Sequence, residues 1–99
     1  MTDKQFDDAF TAAGGWFILT QFEIIVDWKG EKSNLIDELY EKGFDKKRTG
    51  TTTRVSSIMR ILENNRGKEA LEIIRDSTNI NRIHPEAKKI AEDIIKQRF

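Results

Sequence analysis

The chain has 99 residues, 37% hydrophobic and 34% charged, with no net charge and no cysteine. That size and polarity fit one globular domain over residues 1–99, with room for a single modest core. Without cysteine there is no disulfide framework, thiolate metal site or cysteine nucleophile, which favours a cytoplasmic setting.

Phe6, Ala9, Phe10 and Ala13 recur at helical spacing and predict a first helix, capped by Thr2 or Asp3 and stopped by Gly14-Gly15. Residues Trp16 to Trp28 are apolar nearly all round, with only Thr20, Glu23 and Asp27 forming a stripe for water. That pattern predicts a helix at the centre of the core, although Ile24-Ile25-Val26 would also suit a strand. The longest unbroken apolar run, Trp16 to Leu19, falls far short of the ~20 residues that span a bilayer. The start, Met1-Thr-Asp-Lys-Gln5, lacks the basic and apolar parts of a signal peptide. No membrane association is expected.

Lys29 to Lys32 reads as a turn, and Ser33 as the cap of a third helix over 33–42 that buries Leu35, Ile36, Leu39 and Tyr40. Gly43 is placed to end it in a left-handed conformation, and Phe44 to fold back onto the core. Residues 45–50 then form a basic loop. The fourth helix is predicted to start at Thr51 or Thr52, to run to Asn64 or Asn65, and to be closed by Gly67. A fifth, Lys68 to Asp76, buries Ala70, Ile73 and Ile74; residues 77–84 read as an irregular connection. Pro85 opens a sixth helix with Ala87, Ile90, Ala91, Ile94 and Ile95 inward. The expected fold is all-α, a compact bundle of about five or six short helices. The pair at 33–42 and 51–65 resembles a helix-turn-helix with an enlarged turn, since that motif joins its helices by about three to four residues.

The zero net charge hides a division. Residues 1–43 hold nine acids against four lysines, a net of −5, and residues 44–99 hold thirteen basic residues against eight acids, a net of +5. Every arginine lies at or beyond Arg48. Such asymmetry suits an anion-facing side, or two halves that neutralise each other on folding.

At ~100° per residue the fourth helix places Val55, Ile58, Met59 and Leu62 in one core sector. Thr53, Ser57, Arg60 and Asn64 fall opposite, with Arg54 on the flank. Serine and threonine cost helix propensity, and a carboxylate-free face lacks the usual supporting ion pairs. These side chains suit nucleic acid: Arg and Asn pair with base edges, while Ser and Thr bond phosphates or bases. Lys46, Lys47 and Arg48 would neutralise phosphates beside a helix start at Thr51 that is itself an anion site. The first expectation is therefore a DNA-contacting regulator using Lys46, Lys47, Arg48, Thr51, Thr53, Arg54, Ser57, Arg60 and Asn64. A pI of about 6.6 runs against it, as does the simpler role of Thr51 to Thr53 as capping residues.

The alternative expectation is a protein-binding module, a small inhibitor or adaptor of the kind that phages and other mobile elements encode, acting on a nucleic-acid enzyme. Its acidic first half would supply the contacts, through Asp37, Glu38, Glu41 and Trp28. A third is a homodimerisation domain with Phe99 in the seam. Catalysis is not expected. His84, the single histidine, precedes Pro85 and reads as a cap or loop residue. The Arg48 to Thr53 run lacks the Gly-Lys-Ser/Thr ending of a nucleotide-binding loop. Carboxylate neighbours such as Glu38 and Glu41 read as solvated surface, so no metal or cofactor is expected.

Overall fold

A computed structural model describes all 99 residues as seven α-helices and no strands. They are α1 (Asp3–Ala13), α2 (Gly15–Asp27), α3 (Lys32–Tyr40), α4 (Arg48–Glu63), α5 (Gly67–Asp76), α6 (Thr78–Ile83) and α7 (Ala87–Arg98). The all-α expectation holds, and residues 16–27 are helix, with Trp28 as the extended C-cap residue.

α1 opens on a capping box in which the Thr2 hydroxyl accepts from the Gln5 amide N–H while the Gln5 side chain accepts from the Thr2 N–H. It ends at Gly14, whose φ of +83° is open to glycine at little cost, and the chain turns by 89° into α2. α2 is the central element. It buries Phe17, Ile18, Leu19, Phe22 and Ile25 and touches α1, α4, α5 and α7. α1 packs along α4 and α5 along α7, closing the core around it. Fully buried Phe6, Phe17 and Phe22 each contribute roughly 1.5–3 kcal/mol from removed apolar surface. Phe44 returns to the core after Gly43 (φ +85°) and meets the Phe17 ring edge-on, with centroids 5.0 Å apart. The one buried amide of α2, Gln21, is satisfied by the Thr20 hydroxyl and the Lys42 ammonium.

Several local expectations need correction. α3 starts at Lys32 after Glu31, without a side-chain cap; the Ser33 hydroxyl accepts from Arg48 instead. α4 starts at Arg48, three residues before Thr51, so the basic loop shortens to residues 45–47. Its buried side chains are Thr51, Val55, Ile58 and Ile61, with Met59 and Leu62 only half-buried. The core sector is thus rotated by about 50° from Val55, Ile58, Met59 and Leu62 towards Ile61. Asn65, with φ +57°, closes α4, while Gly67 begins α5 as a buried residue beside Leu62 and Phe22. In α5, Leu71 is fully buried and Ile73 is 40% exposed. Residues 78–83 are helical, capped by the Ser77 hydroxyl, which accepts from the Ile80 N–H. α7 begins at Ala87 rather than at Pro85.

Candidate interaction surfaces

Rotating α4 decides what its polar residues can do. With the buried sector centred near Ile58, Arg54 points inward. Its Nε donates to both Asp45 carboxylate oxygens at 3.0 and 3.1 Å, and its Nη1 to the Ala13 carbonyl at 2.6 Å. Its guanidinium also lies 5.4 Å from the Phe17 ring centroid. Thr51, with no exposed surface, donates its hydroxyl to the same carboxylate at 3.0 Å. Asp45 therefore packs over the first turn of α4, against Gly50, where a bound anion had been expected. Arg48 is exposed but engaged: Nε donates to Asp37 at 2.6 Å and Nη2 to the Ser33 carbonyl and hydroxyl at 3.2 Å. Thr51 and Arg54 are thus structural partners of Asp45, while Arg48 stays at the surface in an exposed pair with Asp37.

Lys46, Lys47 and Arg60 remain exposed with no carboxylate within ion-pair distance. Lys47 and Arg60 stand at opposite ends of α4, ~20 Å apart along its axis. Between them Thr53 is exposed and Ser57 half-buried, and the Thr53 hydroxyl donates back to the Thr49 carbonyl at 3.1 Å. The Asn64 amide donates to the Arg60 carbonyl at 2.7 Å while its oxygen accepts from the Met1 amino group at 3.4 Å. This face is polar and sparsely charged.

The concave surface lies elsewhere. A groove of about 430 Å³ runs between α2 and α7, with Leu19, Ile24, Ile90 and Ile94 as its apolar floor and Thr20, Glu23, Asp93 and Gln97 as its walls. A second hollow of about 440 Å³ shares Glu23 and Ile24 with it and continues past Asp27, Trp28, Lys29 and Gly30 to Glu38. Four carboxylates and one lysine therefore line a continuous surface with an apolar base. Trp28 is half-buried, its indole N–H donating to the Glu31 carbonyl at 3.0 Å and its ring lying against Gly30. Glu38 and Glu41 are exposed and unpaired, whereas Asp37 is held by Arg48. Two of the four acidic-side candidates, Trp28 and Glu38, thus line the hollow; Asp37 and Glu41 do not.

Arg98, from the last turn of α7, ties the rim together. Its Nη1 and Nη2 donate to the two Asp27 oxygens at 3.1 and 2.7 Å, and its Nε to Glu23 at 3.5 Å. The hydrogen bonds from Arg98 hold the Asp27 carboxyl below the usual carboxylate range and raise the Arg98 guanidinium. Asp93 pairs with Lys89 at 3.5 Å on the exposed face of α7. Sequence reasoning named the Thr20, Glu23, Asp27 stripe as solvated, but it had no signal for the facing helix or for Arg98. His84 occupies a turn as expected, and its ring stacks on Trp16 with centroids 3.7 Å apart and planes 3° apart. No group of three His, Cys, Asp or Glu side chains converges in metal-ligating geometry. No helix is long and apolar enough to cross a membrane.

Comparison with models of protein families, with curated proteins and with solved structures finds no match to this chain.

Proposed function

We propose that this chain is a non-enzymatic binding protein that captures a basic protein partner on the surface formed by α2, α7 and the turn at Trp28. The observation that carries this is the continuity of the two hollows through Glu23 and Ile24, which joins an apolar floor to a mainly acidic rim. Apolar area supplies affinity and complementary charge supplies encounter rate and selectivity. A half-buried tryptophan at one end is the side-chain type that most often dominates such interfaces. A nucleic-acid enzyme presents such a basic surface where its substrate binds, so a small inhibitor or adaptor of one fits this chemistry.

The test is recovery of partners from an extract of the source cells on immobilised protein, beside the Glu38→Lys, Asp93→Lys double variant, which reverses one carboxylate in each hollow. The expected result is a basic partner retained by the wild type and lost from the variant. Equal recovery by both would remove this surface from the interaction.

DNA contact through α4 is the second reading, supported by three cations on or beside that helix, Lys46, Lys47 and Arg60, that are without carboxylate partners. Its contacts would be these three with Thr53, Ser57 and Asn64. Fluorescence anisotropy with duplex DNA at low and moderate salt tests it. Salt-sensitive binding weakened by Lys46→Glu and Lys47→Glu would favour it, and no binding at micromolar protein would discard it.

A further inference from the structure

The carboxylates best placed to receive a partner's cation already hold one from their own chain. Arg98 reaches Asp27 with two nitrogens and Glu23 with a third. Glu23 lines both hollows and Asp27 the second. A guanidinium forked across two carboxylates at the edge of an apolar channel is the arrangement an incoming arginine would make. We infer that the α2–α7 groove seats one face of a basic amphipathic helix, and that Arg98 occupies the seat of that helix's leading cation until the helix displaces it. This rests on the protein-binding reading above and names the occupant.

The shape of the groove supports a helix. Its floor follows Leu19 and Ile24 on α2 and Ile90 and Ile94 on α7, spaced four or five residues apart on each wall. The lining runs from Leu19 to Trp28 along α2, so the channel offers ~14 Å, enough for two to three helical turns. A helix with apolar residues at i, i+3 or i+4 and i+7 would cover that floor and set its basic flanks against Glu23, Asp27 and Glu38. Arg98 is also placed to leave. It belongs to the last turn of α7, and Phe99 beyond it is 58% exposed with its ring 6.3 Å from that of Phe22, so the anchor at this end of the helix is partial. The Arg98 side chain is 27% exposed but the Glu23 and Asp27 side chains that it holds are 48% and 63% exposed, so solvent screens the carboxylate side and release costs less than for a shielded pair.

The experiment is a fluorescence anisotropy titration with a labelled synthetic helix of about four turns, carrying leucine on one face and arginine on its flanks. A scrambled peptide of the same composition serves as the control for charge alone. Wild type, Arg98→Gln and Arg98→Glu are compared, each checked by thermal melting for an intact fold. Chemical-shift mapping locates the bound peptide. The expected result is preference for the amphipathic order, with shifts at residues 19–28 and 90–97. Arg98→Gln should then bind up to about fivefold tighter, the value of releasing an exposed ion pair, and Arg98→Glu tighter still. Equal or weaker binding by both variants overturns the role of Arg98 while leaving the acidic surface as a partner site. Equal binding of the scrambled peptide overturns the helical occupant. Absence of peptide binding to any variant overturns the whole inference; the partner recovery described above would then show separately whether the broader reading survives.

Discussion

Arg54 and Asp45 form the internal strut of the molecule: one guanidinium nitrogen is shared between both carboxylate oxygens, while another holds the carbonyl of Ala13. The pair joins the turn before α4 to the junction of α1 and α2, and Thr51 adds its hydroxyl from beneath. Hydrogen bonds to charged groups contribute about 1.5–3 kcal/mol each when partly shielded. The side chains are 29% and 15% exposed, so the strut is only partly screened by water.

Asp45→Ala is expected to destabilise the fold by about 1.5–3 kcal/mol, because it removes the acceptor of Thr51 and the counter-charge of Arg54 together. Asp45→Asn, which keeps the volume and one carbonyl acceptor, should lose less. Urea unfolding measures both, and a loss below about 0.5 kcal/mol for Asp45→Ala would place the strut among ordinary surface pairs.

Thr51→Val separates a core role from a surface one. The substitution keeps the shape and removes the hydroxyl, so stability should drop by about 1 kcal/mol. Any affinity for duplex DNA should stay unchanged. A selective loss of DNA binding with stability intact would return Thr51 to the outer face.

Much of the fold was legible in the sequence because it follows from local pattern. Phe6, Ala9, Phe10 and Ala13 announce α1, and the polar stripe on an otherwise apolar α2 announces the central helix. α4 was misread in its start and in its core sector, and Thr51 shows why. Thr51 stands four residues before Val55 and seven before Ile58, a spacing that places all three together on the helix, yet a threonine near an expected helix start looks like a cap. Only the carboxylate of Asp45, supplied by tertiary packing, lets that hydroxyl be buried. Once Thr51 is inside, Arg54 must turn inward with it. α6 has six residues and no periodicity to read. The groove was not legible at all, since it exists only where α7 meets α2, with Arg98 lying 71 residues from Asp27.

Gly14→Ala tests the corner between α1 and α2. A residue with a Cβ at φ +83° and ψ +130° lies outside the left-handed helical well and costs on the order of 1–3 kcal/mol, and that Cβ would lie 2.8 Å from Nη1 of Arg54. The combined loss, read from thermal melting, should exceed the backbone cost alone. In an Arg54→Ala background the excess should vanish, because the neighbouring guanidinium is gone.

The Arg98 clamp has a pH signature. Hydrogen bonding from Arg98 lowers Asp27, and bonding from Arg66 and Arg75 lowers Glu69 and Asp76 in the same way. A carboxyl depressed in the folded state contributes stability above its unfolded pKa and loses it as pH falls through the folded value. Stability should therefore be flat near neutrality and decline below about pH 4. In Arg98→Gln, the NMR titration of the Asp27 carboxyl should move up towards the ordinary range while Glu69 stays depressed. An Asp27 midpoint unaffected by the substitution would contradict the clamp.

Site-specific photo-crosslinking in the source cells compares the two surfaces most directly, with a photoreactive side chain placed at Ile24 in the groove or at Ser57 on α4. The expected result is a protein adduct from position 24, abolished by Glu38→Lys with Asp93→Lys, and none from position 57. Adducts to nucleic acid from position 57, with position 24 silent, would contradict a protein-binding groove and restore the α4 face as the functional surface.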